Sequence, residues 1–326
     1  MPLNETPILE LRQIVKRFRL PRRRLNRPTR VVHAVNKVNL SINLGETLAL
    51  VGESGCGKTT LGRCAIRLYQ PTEGSVLFRG IDVTETRGIG LHPFRKSVQM
   101  VFQDPNSSLN PRMQAASIIE EPMQIHQLGN RAFCRERVAE AMDAVGLSRQ
   151  FSNRYPHEFS GGERQRIAIA RTLVLEPDLI IADEPVSALD VSIQSQVLNL
   201  FAELREQRGL ALLFITHDLA VVNFIADRVA VMYLGRIVEI ANRDVLLREP
   251  HHPYSQALRA AVPKPGAGKR QSRKALVGSS PDPTSPPRGC PFHPRCPKAQ
   301  TICKEIEPVL ESVGGNVNHQ AACHFK

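Results

Sequence analysis

The chain has 326 residues, a hydrophobic content of 42% and a formal net charge of +12. This length and composition allow a proper buried core, in one large domain or two smaller ones. No uninterrupted run of about 18 apolar residues occurs, so we expect no segment to cross a bilayer. The N-terminus also lacks the basic-then-apolar pattern of a signal peptide, and we therefore expect an intracellular protein.

Three regions differ in composition. Residues 1–262 alternate short apolar runs with helical patterns, which predicts an α/β domain. Residues 263–289 are rich in Pro, Gly, Ser and basic residues and are predicted to be a linker, and residues 290–326 form a small cysteine-containing lobe.

A basic stretch, residues 16–30, has eight basic residues and no acidic one. It is either a solvated loop or a contact with nucleic acid or an anionic membrane.

Several elements can be predicted in chain order. Residues 47–51, 178–183 and 211–216 are apolar runs typical of buried parallel strands. Helical spacing with charged faces predicts helices over residues 131–146 and 192–208, between the first and last of these strands. Residues 228–241 are then expected to form a hairpin that turns at Gly235.

The first functional motif is "GESGCGKT", which follows the strand at 47–51 and precedes a helical pattern. It fits G-x-x-x-x-G-K-[ST], in which successive backbone N–H groups and the start of a helix surround phosphate groups. The lysine adds a positive charge near the outer phosphates, and the hydroxyl group after it can bind Mg²⁺. The predicted ATP-binding residues are Gly52, Glu53, Ser54, Gly55, Cys56, Gly57, Lys58, Thr59 (also a Mg²⁺ ligand) and Thr60.

A second motif, "LIIADE" at residues 179–184, places two carboxylates after a buried strand. Asp183 is predicted to hold Mg²⁺ through water, and Glu184 to polarise the water that attacks the γ-phosphate. Alone, an Asp-Glu pair is more often a helix start or a solvated turn. Together with the phosphate loop, it predicts a nucleoside triphosphatase.

Four further segments, with these two motifs, resemble the ATP-binding subunits of ABC transporters. "FSGGE" at 159–163 is similar to the family's signature, usually LSGGQ, and "VFQDP" contains Gln103 at the position of the Q-loop glutamine. "SALD" ends in Asp190 of the D-loop, and "ITHD" contains His217, the switch histidine. The resemblance implies an α/β P-loop NTPase fold with an ABC-type antiparallel β subdomain and a helical signature subdomain, here with the additional C-terminal lobe.

The resemblance also implies roles for these residues. Glu184 is the general base, His217 stabilises the attacking water and the γ-phosphate, and Gln103 is a further Mg²⁺ ligand that links the site to a membrane partner. Ser160, Gly161 and Gly162 of the signature bind the γ-phosphate of an ATP held by a second subunit, and a helix start without side-chain cover would suit an anion. Phe18 is the candidate for stacking on adenine, or else an ordinary core residue at a strand end. The signature residues are Ser160, Gly161, Gly162 and Glu163.

Finer similarity points to the oligopeptide/dipeptide and nickel importer branch. It rests on "QMVFQDPNSSLNPRM" (99–113), "YPHEFSGGERQR" (155–166), "HPYSQAL" (252–258) and the cysteine-containing tail. This branch implies an ATPase at the cytoplasmic face of a prokaryotic plasma membrane. Its partners are two permeases, a second, homologous ATPase subunit and an extracytoplasmic solute-binding protein. "SSLNPRM" is more similar to the second subunit of the heterodimeric ATPase pair.

The alternatives differ in cargo or in class. Peptides are the favoured cargo, while nickel or another small solute stays open. A soluble ABC ATPase acting on DNA or ribosomes usually carries two ATPase domains or a long coiled-coil insertion, so we expect no nucleic-acid partner. An exporter motor does not normally carry the linker and cysteine-containing tail.

Seven cysteines are present, and an odd number scattered along such a chain argues against a disulfide framework. Four of them, Cys290, Cys296, Cys303 and Cys323, suit Zn²⁺ or an iron–sulfur cluster. Their spacings are wider than the pairs of structural zinc sites, and the resemblance implies a [4Fe–4S] cluster. Zinc, or reduced cysteines that pack a small lobe, stay open. We expect a cluster far from the nucleotide and unnecessary for catalysis, with His293, His319 and His324 as spare ligands or surface residues.

Overall fold

The structure, a computed structural model, describes residues 6–20, 30–261, 278–279 and 281–325. Residues 21–29 of the basic stretch, and residues 263–277 and 280 of the predicted linker, lie outside the described residues. The strands are β1 Leu9–Arg19, β2 Val31–Ile42, β3 Thr47–Val51, β4 Glu73–Phe78, β5 Ile81–Asp82, β6 Val98–Val101, β7 Leu179–Asp183, β8 Ala211–Thr216, β9 Arg228–Tyr233, β10 Arg236–Asn242, β11 Glu311–Val313 and β12 Asn316–Ala321. The α-helices are α1 Lys58–Ala65, α2 His92–Ser97, α3 Pro105–Ser108, α4 Ala115–Ile125, α5 Arg131–Ala144, α6 Gly161–Leu173, α7 Val191–Arg208, α8 Leu219–Ile225, α9 Arg243–Arg248, α10 Pro253–Ala261 and α11 Thr301–Glu305.

These elements belong to two compact units, each assembled from separate stretches of chain. The first unit comprises the described residues within 1–8, 42–46 and 78–215. The second unit comprises the described residues within 9–41, 47–77 and 216–326.

The first unit contains the parallel strands β6, β7 and β8, with β7 in the middle. Every residue of β7 and β8 is buried, which explains why their sequences are continuously apolar rather than alternating. The predicted strands at 178–183 and 211–216 are therefore confirmed. The predicted helices are also confirmed as α5, which starts with an Asn130 cap, and α7, which ends at Gly209 with a φ of 63°.

Five strands of the second unit are neighbours in one sheet, in the order β11-β12-β10-β9-β3, while β1, β2 and most of β4 belong to another sheet. Strand β3 pairs in parallel with β9, and β10 is antiparallel to both β9 and β12. The predicted hairpin is confirmed: Leu234 and Gly235, between β9 and β10, have φ values of 43° and 78°. Two successive positive φ angles are typical of the tight turn that suits the twist of paired strands.

The cysteine-containing C-terminal segment shares the core of the second unit. Cys290, Phe292 and Cys303 are buried in the same apolar cluster as residues of β3, β9 and α8. The ring of Phe292 lies 5.2 Å from that of Tyr233 and 5.4 Å from that of Tyr254, between ring centroids. The segment is therefore packed through buried aromatic surface. The predicted boundaries at 262 and 289 stay predictions.

In the described parts of the chain, no helix is long and apolar enough to cross a membrane.

Candidate nucleotide-binding and hydrolysis site

The phosphate loop lies between β3 and α1, and its glycines are required by close backbone contacts. Gly57 has a φ of 109°, and a Cβ there would lie 2.2 Å from the Ala34 carbonyl oxygen. A Cβ at Gly52 would lie 2.2 Å from the Met232 carbonyl oxygen. Helix α1 begins directly after Gly57 without a side-chain cap and without an acidic residue in its first turn. Its first N–H groups therefore have the arrangement expected for binding an anion.

Lys58 lies across this loop. Its ammonium group donates hydrogen bonds to the Gly52 carbonyl oxygen at 2.8 Å and to the Glu53 carbonyl oxygen at 3.0 Å. The side chain is almost fully buried, so its charge is oriented by the loop itself. Cys56, inside the loop, is also buried, and burial raises the pKa of its thiol. This cysteine is a small packed residue, as expected for its unspecified position in the motif.

The two predicted catalytic carboxylates lie at the end of β7. Asp183 is its last residue and is 1% exposed. Glu184 has a φ of 47°, an uncommon backbone conformation for a residue other than glycine. Its carboxylate accepts a hydrogen bond from the Gln103 side-chain amide at 3.1 Å. The predicted base and the Q-loop glutamine are therefore in contact, and unusual backbone geometry of this kind is often found at catalytic positions.

The signature helix α6 differs from our expectation. Its start is not bare: Ser160 accepts a hydrogen bond from the Glu163 N–H at 3.3 Å. The Glu163 carboxylate in turn accepts the Ser160 N–H at 2.8 Å and its hydroxyl at 2.7 Å. These bonds form a capping box and hold the pKa of Glu163 below its usual range. The expectation of uncovered amides was wrong because Ser160 and Glu163, which replaces the usual glutamine of the signature, cap the helix start themselves.

Three other predicted residues lie at element boundaries. Asp190 precedes α7 and is exposed, and its side chain does not cap the helix. His217 is exposed in the turn between β8 and α8. Phe18, near the end of β1, contacts the ring of Tyr69 edge to face, with 5.5 Å between centroids. The Lys16 ammonium lies 5.1 Å from the Phe18 ring centroid. The roles of these residues stay predictions.

The predicted residues are divided between the two units. Gln103, Asp183, Glu184, the signature and Asp190 belong to the first unit. Phe18, the phosphate loop and His217 belong to the second.

Sequence reasoning missed two residues that contact the phosphate loop. The Glu53 N–H donates to the Tyr254 hydroxyl oxygen at 2.8 Å. The Glu53 carboxylate accepts two hydrogen bonds from the Arg295 guanidinium, at 2.7 and 2.9 Å. Arg295 lies between Cys290 and Cys296, so the cysteine-containing lobe contacts the phosphate loop through this residue, while the expected distance of a cluster from the nucleotide stays a prediction. Tyr254 lies within "HPYSQAL" (252–258), and no spacing rule connects this segment to the phosphate loop.

The four C-terminal cysteines line one cavity, together with His293 and His324. Burial raises the pKa of Cys290 to about 11 and also raises the pKa of Cys296. Within the described ranges, however, no three His, Cys, Asp or Glu side chains are arranged to hold a metal ion.

A buried carboxylate, Glu239 on β10, anchors two parts of the C-terminal region. It accepts the N–H groups of His251 and His252 at 2.7 and 3.0 Å, and its Oε1 lies 2.7 Å from Nε2 of His319. His319 was expected as a spare ligand or a surface residue, and the structure shows that it is buried. Burial lowers the pKa of His252 to about 3, and its Nδ1 accepts the Tyr254 N–H at 3.1 Å. His252 is therefore a neutral residue that fixes the backbone of Tyr254.

Comparison with known proteins now identifies the class. A family model described as "ABC transporter" matches residues 35–187. The dimeric ATP-binding cassette MJ0796, solved in a post-hydrolysis state with ADP and phosphate, superposes with a TM-score of 0.64 and 29% identity, covering 72% of this chain and 98% of that one. CbiO1 of Clostridium perfringens, part of the transporter complex cbiONQ, gives a TM-score of 0.63 and 28% identity, covering 76% and 97%.

A second family model, described as "Oligopeptide/dipeptide transporter, C-terminal region", matches residues 238–303. The oligopeptide transport ATP-binding protein AppF of Bacillus subtilis is 52% identical over 99% of this chain and 98% of its own length. The chain belongs to the ATP-binding subunits of ABC transporters, in their oligopeptide/dipeptide branch. The predicted family, the ABC-type fold with its antiparallel and mixed sheets, and the ATPase class are confirmed.

Proposed function

We propose that this chain is the ATP-hydrolysing motor of a peptide importer and acts at the cytoplasmic face of a prokaryotic plasma membrane. The observation that carries the proposal is the uncapped start of α1, with Lys58 held across the loop by two backbone carbonyls. Peptides are favoured as cargo because the matched C-terminal family and AppF are both described as oligopeptide transport proteins.

The residues of this chain divide the chemistry among them. The loop amides and Lys58 bind and neutralise the phosphates, and Thr59, Asp183 and Gln103 would hold Mg²⁺. When bound, Mg²⁺ neutralises charge on the phosphate oxygens. Glu184 takes the proton of the attacking water, and its hydrogen bond from Gln103 Nε2 orients the carboxylate. His217 stabilises the γ-phosphate, and Phe18 stacks on the adenine.

The signature residues Ser160 to Glu163 act on the ATP of a second, homologous ATPase subunit. Because the capping box already occupies the helix start, the Glu163 carboxylate must turn away when the γ-phosphate arrives. Two permeases and an extracytoplasmic solute-binding protein complete the importer.

Four lobe cysteines hold a [4Fe–4S] cluster in this proposal. Four thiols line one cavity, and four cysteines are the usual donor set of such a cluster, although in this structure no three of them, all within the described residues, are arranged to hold a metal ion. Since burial raises the pKa of Cys290 and Cys296, cluster assembly must displace their protons. Anaerobically purified protein should contain about four acid-labile sulfides per chain. A sulfide content near zero would contradict the cluster.

The transport role is tested by affinity purification of the chain from native membranes in mild detergent. We expect two permeases and a different ATPase subunit to co-purify. Recovery with nucleic acid or ribosomal proteins alone would contradict the importer.

In the purified complex, Glu184→Gln should lower phosphate release at least about 100-fold while ATP still binds. Hydrolysis near the wild-type rate would remove Glu184 as the base.

A further inference from the structure

Glu53 is an acidic residue on a loop that must bind a polyanion. Its carboxylate would repel the nucleotide phosphates if it were left as an isolated negative charge. The general phosphate-loop motif leaves this position unspecified. The charge must therefore be balanced by another part of the chain.

The C-terminal region supplies that balance. Arg295 contacts both carboxylate oxygens of Glu53, and its own side chain is 6% exposed. Two parallel hydrogen bonds between a guanidinium and a carboxylate fix distance and orientation together. Since Arg295 is buried, solvent and salt weaken this pair less than they weaken a surface ion pair.

A second contact fixes the backbone of the same residue. The Tyr254 hydroxyl oxygen accepts the Glu53 N–H, and the Tyr254 ring packs against Tyr233 and Phe292. The Glu53 carbonyl oxygen accepts the Lys58 ammonium group. The N–H, the carbonyl and the carboxylate of Glu53 are thus all bonded, and two of these bonds come from the C-terminal region.

We infer that Arg295 is a positioning residue of the nucleotide site: it neutralises Glu53 and holds the phosphate loop in its binding conformation. This inference rests on the proposed nucleotide site at residues 52–59. It makes the cysteine-containing lobe a part of the ATPase site, although no lobe residue is assigned a chemical step.

The test measures MgADP binding to the purified chain by calorimetry, because ADP engages the phosphate loop without hydrolysis. Arg295→Gln exposes the Glu53 charge and should weaken MgADP binding about tenfold, the effect of one unit charge over roughly 12 Å at an effective dielectric constant near 20. Glu53→Gln removes the negative charge and leaves the Arg295 charge uncompensated beside the loop, so it should tighten MgADP binding, the opposite sign to Arg295→Gln. The double variant should recover to within about threefold of wild type.

The matched control is Glu307→Gln. Glu307 pairs with Arg236 and ties the same lobe to β10. This variant should lower the melting temperature and leave the Kd for MgADP unchanged.

If Arg295→Gln does not fold, Arg295→Lys replaces it. The lysine keeps the positive charge but loses the two-point contact with Glu53, so this variant should weaken MgADP binding about threefold.

Three results would overturn the inference. They are an unchanged Kd in Arg295→Gln, an unchanged Kd in Arg295→Lys where that variant is used, and equal weakening by Arg295→Gln and Glu53→Gln. Lys58→Ala separates this failure from failure of the site itself. If Lys58→Ala binds MgADP like wild type, the proposed nucleotide site is wrong; if only the Arg295 variants have no effect, the site stands without this residue.

Discussion

Two glycine-rich helix starts in this chain look alike in sequence and differ in structure. At α1, no side chain caps the helix, and the loop before it is held by Tyr254 and Arg295 from more than 200 residues away. At α6, Ser160 and Glu163 cap the helix locally, within four residues. A helix start therefore stays open to a ligand when distant contacts support its loop, and closes on itself when its own residues can supply the cap.

The largest expected effect is predicted for the start of α1, which has no side-chain cap. Lys58→Ala should weaken MgADP binding about 100-fold, because the loss of a buried, charge-assisted contact to phosphate costs about 3 kcal/mol. Isothermal titration calorimetry on the purified chain measures this Kd. The matched variant at the capped start, Ser160→Ala, should change the same Kd much less, since the signature is proposed to act on another subunit's nucleotide. Comparable losses in both variants would break the comparison.

The next largest effect is predicted for Gly57, where the loop before α1 packs against the backbone of Ala34. Gly57→Ala should destabilise the nucleotide-free protein by about 3 kcal/mol, because both its φ and the Ala34 carbonyl oxygen oppose a side chain. Gly55→Ala is the control: its φ is 79°, but a Cβ there would meet no atom within 4 Å. It should cost about 1 kcal/mol. Chemical denaturation measures both values, and equal losses would show that the contact with Ala34 is unimportant.

Acidification from pH 7 to pH 5 should affect the support of α1 but not the cap of α6, because the Ser160 hydrogen bonds hold the pKa of Glu163 below its usual range. The pKa of His252 is lowered to about 3 in the folded protein, so the unfolded chain binds the proton first. Its stabilising contribution is complete above pH 6.5 and decreases as pH falls toward 3, by about 2 kcal/mol at pH 5.

His252→Asn keeps an acceptor for the Tyr254 N–H and cannot be protonated. We expect its melting temperature to fall less than that of wild type between pH 7 and pH 5. Parallel pH profiles would show that His252 is not the group responsible.

The smallest effect tests the capped start. Glu163→Gln preserves an acceptor for Ser160 and removes a negative charge from the proposed γ-phosphate site. In the assembled transporter it should lower the KM for ATP about threefold, the scale of one charge at a helix start. Glu163→Ala is the control and should lose about 1 kcal/mol of stability with the cap. A higher KM in Glu163→Gln would mean that the carboxylate itself assists binding.

Local patterns allowed much of the fold and site to be predicted. The apolar runs at β3, β7 and β8 and the turn at Gly235 depend on neighbours in sequence, and the structure has them where expected. The resemblance assigned Gln103 and Glu184 to one site, but their direct hydrogen bond is a finding of the structure.

What could not be predicted depends on distant residues or on choices between hydrogen-bond partners. Arg295 contacts Glu53 across 242 positions in sequence, and nothing near either residue signals the pair. The segment Ser160 to Glu163 matches both S-x-x-E, which predicts a capping box, and the family signature, which predicts phosphate binding. The sequence alone does not show which set of hydrogen bonds forms. His319 was considered for its chemistry, and its burial against Glu239 depends on how β12 pairs with β10.

The contacts to Glu53 also decide where the chain can be shortened. A fragment that ends at residue 262 would keep the phosphate loop, Asp183, Glu184 and the signature. By its motifs alone, it would be classified as a complete ATPase. Such a fragment lacks Phe292 and Arg295, which opens the rings of Tyr233 and Tyr254 to water and removes the two Arg295 hydrogen bonds from the Glu53 carboxylate. Nucleotide affinities measured on that fragment would describe a more acidic and less supported loop than the one in the intact subunit.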